Sequence, residues 1–94
     1  IQNGFFIMDQ DWIDNFRTKL EQHYSWPSLY MFKFIVPSHK EDELKKLFPN
    51  HIFTEKNSTQ GKYVSLTMQI MASSSDAVIE VYQKAAAVEG LIAL

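Results

Sequence analysis

From residue 62 to 72 the chain alternates. Val64, Leu66, Met68, Ile70 and Ala72 fall on one side, and Tyr63, Ser65, Thr67, Gln69 and Met71 on the other. Period two predicts a strand with one face on a core and a second, more polar face. The run Leu29-Tyr30-Met31-Phe32-Lys33-Phe34-Ile35-Val36, closed by Pro37, predicts another strand over 28–36. Tyr30, Phe32, Phe34 and Val36 share one of its faces; Leu29, Met31, Lys33 and Ile35 share the other. Both faces are largely apolar, which predicts a central strand covered on both sides.

Helical spacing appears in three places. Trp12, Phe16 and Leu20 stand four apart, with Ile13 beside them, predicting a helix over 9–24 that opens at Asp9 and Asp11. Ser25-Trp26-Pro27 ends it, because a residue before proline avoids the α region. Ser38 with Glu41 has the spacing of a capping box for a second helix, buried through Leu44, Leu47 and Phe48 and ended by Pro49-Asn50. Ser73 with Asp76 has the same spacing before a third, carrying Val78, Val81, Tyr82, Ala85 and Val88, with Gly90 as its C′ residue. A weaker strand over 51–57 contains Ile52 and Phe53. The turn Asn57-Ser58-Thr59-Gln60-Gly61 follows it, and Leu91-Ile92-Ala93-Leu94 makes a short last strand.

The order is a helix followed by βαββαβ. This predicts an α+β, ferredoxin-like domain over 9–94, with a core at 28–94. Its antiparallel four-stranded sheet has order 4-1-3-2, two helices on one face and an extra N-terminal helix. Residues 1–8 read as an N-terminal extension or an expression remnant, since Met8-Asp9-Gln10 would make a natural start.

Composition narrows the chemistry. The 94 residues contain no cysteine, which excludes disulfides, thiolate nucleophiles and cysteine-ligated zinc and fits a cytoplasmic setting. A net charge of −2 gives no electrostatic reason to bind nucleic acid or an anionic membrane. No window approaches a membrane span.

Residues 58–67, Ser-Thr-Gln-Gly-Lys-Tyr-Val-Ser-Leu-Thr, resemble the turn-and-strand signature of the YbeD-like proteins, a small uncharacterised bacterial family. Pro27 with Tyr30-Met31-Phe32-Lys33-Phe34 resembles the family's opening strand, and Val81-Tyr82 followed by Leu91-Ile92-Ala93-Leu94 its end. The resemblance spans about residues 26–94. It implies the same βαββαβ fold, similar to the regulatory ACT domains of amino-acid metabolism. Some relatives are encoded near lipoate-attachment enzymes. ACT domains often bind a small effector beside a glycine in the first strand–helix loop; here that loop, Val36-Pro37-Ser38-His39, has none.

The candidate residues each have a functional and a plain reading. Lys33 interrupts the second face of its strand near Ser65, Thr67 or Gln69. It is either a ligand for a bound carboxylate or phosphate, or a lysine whose stem packs on the sheet while its ammonium reaches water. The segment Ser58 to Lys62, with Gly61 and Lys56, is either a nest of amides for an anion or a hairpin turn. Tyr63 is the one outward aromatic where an RNA-recognition sheet needs several. Ser65 lacks a nucleophile-elbow context. His23, His39 and His51 have neither HxH nor HExxH spacing, so no metal is expected. Trp12 and Phe16 with Leu29, Met31 and Ile35 form either an internal cover, the first helix lying over the second sheet face, or a self-association surface.

The function these residues support is a non-catalytic, ACT-like binding or regulatory module needing no cofactor. Its contacts are Lys33, Ser58, Gly61, Lys62, Tyr63, Ser65 and Thr67, and its partner a second copy, another protein or a small anionic effector. The competing readings are a small enzyme built on Lys33 or a histidine, and a plain interaction subunit.

Overall fold

The computed structural model describes residues 9–58 and 60–94, so the reading of residues 1–8 lies outside the described residues. The elements are α1 (Gln10–His23), β1 (Ser28–Pro37), α2 (Glu41–Leu47), β2 (Thr54–Asn57), β3 (Tyr63–Ala72), α3 (Ser75–Ala85) and β4 (Ile92–Ala93). A 3₁₀ turn, Ser38–Lys40, precedes α2. The sheet is antiparallel and four-stranded, in the order β2-β3-β1-β4. Read from the other edge, this is the 4-1-3-2 order that the uncrossed-connection rules predict.

The β1–β3 register runs from Ser28 opposite Ala72 to Pro37 opposite Tyr63. It therefore sets Phe32, Phe34 and Val36 beside Met68, Leu66 and Val64, and all six are buried. This inner face is closed by Leu44 of α2 and by Val78, Ile79, Tyr82 and Ala85 of α3. Tyr82 is the hub. The rings of Phe32, Phe34 and Tyr30 lie 5.1, 6.0 and 6.4 Å from its own, edge to face. That geometry sets the positive edge of one ring on the negative face of another. The Tyr30 and Tyr82 hydroxyls meet at 3.2 Å, so neither polar tip is stranded in the core.

α1 does not lie over the outer face of the sheet. It packs beside α3 on the helical layer, and Phe16 meets Tyr82 edge to face at 5.5 Å. Leu20 is buried, and Arg17 donates to Asp76 at the start of α3 at 2.8 Å. The stripe Trp12–Phe16–Leu20 is spent on this contact, with the Trp12 ring tilted against that of Phe16 at 5.0 Å. The expectation of a β1 covered on both sides is corrected accordingly: its outer residues Leu29 and Met31 are exposed.

Both capping pairs shift. Ser38 caps no helix; its hydroxyl donates to the Gly61 carbonyl and its amide to the Lys62 carbonyl, tying the β1–α2 link to the β2–β3 turn. Ser74, not Ser73, caps α3 by accepting from the Ala77 amide at 3.2 Å, and Asp76 pairs with Arg17 instead. β2 begins at Thr54, so Ile52 precedes it and is 91% exposed. α3 ends at Ala85, and turns carry the chain to Gly90, which is therefore not the C′ residue of that helix. Gly90 does have positive φ, +82°, and a Cβ there would stand 2.9 Å from Pro37 Cγ. Both facts disfavour a larger residue at that point.

Candidate functional site

Side chains alternate across the pleat, so the register that buries one set of residues exposes the other. The outer face of β1 carries Leu29, Met31, Lys33 and Ile35; that of β3 carries Tyr63, Ser65, Thr67, Gln69 and Met71. β2 adds Thr54 opposite Thr67 and Lys56 opposite Ser65. β4 adds Ile92 opposite Ile35, and the Leu94 amide donates to the Lys33 carbonyl at 2.9 Å.

The face has three zones. Leu29 lies opposite Met71, with Met31 next to them, and these three are all more than half exposed. A polar band follows: Lys33 directly opposite Thr67, which lies opposite Thr54. Beyond it, Ile35, Lys56, Asn57, Ser58, Tyr63 and Ser65 line a shallow, open recess of about 190 Å³. Enclosed small-molecule sites run to roughly 300–1,000 Å³. The recess is smaller than that and open, which suits a side chain of a partner better than a whole ligand.

The fold thus brings Ser58, Tyr63 and Ser65 together in the recess and sets Lys33 beside Thr67. It leaves Gly61 and Lys62 at the tip of the turn, outside the recess. Gly61 has φ +72°, the freedom its place in the turn requires. Three amides in and beside the turn are engaged within it. Ser58 donates to the Tyr63 carbonyl at 2.9 Å, Gly61 to the Ser58 carbonyl at 3.0 Å, and the Tyr63 amide to Ser58 Oγ at 3.3 Å. Those amides are engaged, which weakens the anion-nest reading of this segment. Trp12 and Phe16 lie on the opposite layer from Leu29, Met31 and Ile35, so they do not form one surface.

Three contributors to this face were not among the expected contacts. Lys56, expected only beside the turn, and Asn57 line the recess; Lys56 faces outward because it pairs with Ser65, a parity that the adjacent apolar Ile52 and Phe53 leave ambiguous in the sequence. Met71 stands in the polar half of the alternation and is the most exposed of the three outer apolar residues. Its hydrophobicity among polar neighbours was the available signal.

The titratable groups with shifted pKa lie elsewhere. Burial, joined by the hydrogen bond shared with Tyr30, holds the Tyr82 phenol protonated well above the usual tyrosine range, and burial raises Tyr30 as well. Hydrogen bonds to Glu41 and Glu55 raise Lys45. His51 sits edge-on to Phe48, with ring centroids 6.3 Å apart, and is exposed. Among the described residues no three His, Asp or Glu side chains stand where they could hold a metal ion. Nor, among them, is any helix long and apolar enough to cross a membrane.

Residues 21–94 match the model of a family described as "Protein of unknown function (DUF493)". The chain belongs to that family. DUF493 is the YbeD family of small uncharacterised bacterial proteins whose turn-and-strand signature residues 58–67 resemble. Comparison with curated proteins and with solved structures returns no match.

Proposed function

We propose that this chain is a non-catalytic, ACT-like binding or regulatory module of the cytoplasm that works through the outer face of its sheet. The observation that carries this reading is the contrast in cover. All three helices pack on or beside the inner face, while Leu29, Met31 and Met71 lie adjacent and exposed on the other. Large apolar side chains grouped on a surface mark a contact site, whereas isolated ones need no explanation. Methionine suits such a surface because its unbranched, polarisable side chain adapts to different partners.

The open recess and the band of Lys33, Thr67 and Thr54 supply polar contacts beside the apolar zone. The groups with perturbed pKa are buried in the core or ion-paired on the helical side of the sheet, away from this face, which favours binding over catalysis here.

The test is a double substitution, Met31→Glu with Met71→Glu, in a chain whose circular dichroism stays that of the wild type. Affinity capture from the native host with mass spectrometry, and light scattering of the purified protein, would both be run on each form. The reading expects the variant to lose the protein partner or the self-association that the wild type displays. An unchanged set of partners and an unchanged mass in solution would sink it.

A further inference from the structure

The charges of this protein are sorted by layer. Of its eleven carboxylates, those at residues 9–21, 41–43 and 76–89 belong to the helices or their connections. The remaining one, Glu55, faces the helical layer, where it pairs with Lys45 at 2.8 Å. Arg17, Lys40 and Lys45 are ion-paired on that same layer. The outer sheet face contains no carboxylate among its described residues. It carries Lys33 and Lys56, both exposed, and Lys62 stands in the adjoining turn. None of these three lysines has an ion-pair partner among the described residues. A chain with net charge −2 thus presents one cationic face, and that face holds the exposed apolar zone.

We infer that the outer face docks an acidic, partly apolar segment of another protein. The inference rests on the reading of that face as the working surface and names what the surface takes. Complementary charge steers encounter and excludes wrong partners, while the apolar zone supplies the buried contact. A second copy is a poorer occupant. Face to face it would oppose lysines to lysines, and face to helix it would be a head-to-tail contact that closes only for particular rotations and otherwise runs on as a filament. Nucleic acid is poorer too. Single strands are held by bases stacked on aromatic side chains, and Tyr63 is the only aromatic among the described residues of the sheet's outer face.

The register also sets a spacing. Lys33 lies on the Thr67 level of β1 and Lys56 on the Ser65 level of β2, with β3 between them. Strand separation and rise put their Cα atoms about 12 Å apart. Carboxylates four residues apart in an extended segment are roughly 13 Å apart, so one such segment reaches both lysines. A segment that bends along β1 after the second carboxylate would carry apolar residues to Met31 and Leu29, which follow Lys33 at the Gln69 and Met71 levels.

The test uses the full chain and three fluorescent probes, followed by anisotropy at low salt. One is a twelve-residue peptide with glutamates four apart and leucines between, one is the same peptide with lysine for glutamate, and one is an oligouridylate. The expected result is binding of the acidic peptide above both others, weakening as salt rises. Lys33→Glu with Lys56→Glu is expected to lower that affinity by about tenfold or more, a change of at least 1.4 kcal/mol. Lys84→Glu, the same charge change on α3, leaves it within about twofold. Lys33→Gln with Lys56→Gln provides a milder pair should charge reversal disturb the fold. The inference falls if the acidic peptide gains nothing over the basic one, if the charge-reversed pair binds like the wild type, if the oligouridylate binds more tightly, or if no probe binds. Should both peptides bind and lose affinity on Met31→Ser with Met71→Ser, but not on charge reversal, the face reading stands and the acidic partner alone falls.

Discussion

The two faces of one sheet make the instructive comparison in this molecule. β1 and β3 contribute equally to both, through the same register, and their backbones cannot favour either. On the inner face Phe32, Phe34, Leu66 and Met68 are sealed under α2 and α3. On the outer face Leu29, Met31 and Met71, residues of comparable hydrophobicity, stay in water. Hydrophobicity alone therefore did not decide what is buried. The placement of α1 did: its apolar stripe found Tyr82 on the helical layer and left the outer face open.

The comparison breaks most visibly in the core. Phe32→Ala removes a fully buried ring at the centre of the Tyr82 cluster. A loss of about 3–5 kcal/mol is expected in urea unfolding. A loss below 1 kcal/mol would mean that the inner face is as loosely covered as the outer. Next in size is Gly90→Ala, where positive φ and the contact with Pro37 compound. The expected cost is roughly 1–3 kcal/mol, read from the shift in denaturation midpoint.

The phenols give a pH test of the same contrast. Tyr82 binds its proton more tightly folded than unfolded because burial disfavours phenolate. The unfolded chain releases that proton near pH 10, so the folded state binds more protons above it. Stability is then full below that pH and falls as pH rises. Tyr82→Phe is expected to flatten this alkaline slope, while Tyr63→Phe, on the exposed outer face, leaves it nearly as steep. Equal slopes for wild type and Tyr82→Phe in urea midpoints across that range would contradict the burial of Tyr82.

The smallest expected effect is on the outer face. Leu29→Ser with Met31→Ser deletes exposed side chains, so unfolding should shift by no more than about 0.5 kcal/mol per residue. Large destabilisation would show that something covers this surface within the monomer.

What the sequence disclosed follows the same physics. β3 was legible because its aliphatic residues recur at every second position from Val64 to Ala72, and the sheet order followed from connection rules that few topologies satisfy. Lys33 opposite Thr67 followed in turn. The position of α1 was not legible, since the stripe Trp12–Phe16–Leu20 is the same whichever layer receives it. The cap of α3 slipped by one residue because Ser73, Ser74 and Ser75 stand in a row, and only backbone geometry selects Ser74. Lys56 was lost from the candidate face because the adjacent apolar Ile52 and Phe53 leave its facing ambiguous. The layer taken by α1 and the facing of Lys56 depend on neighbours distant in sequence, and single-segment patterns carry no such information.

Methionine oxidation tests the open face most directly. Met31 and Met71 are 56% and 63% exposed, and Met68, on the same sheet, is 1% exposed. In dilute peroxide, with the protein at low concentration and peptides resolved by mass spectrometry, Met31 and Met71 should oxidise quickly while Met68 stays protected until the protein unfolds. If Met31 and Met71 were as slow as Met68, the outer face would be covered, and the binding surface argued from it would not exist.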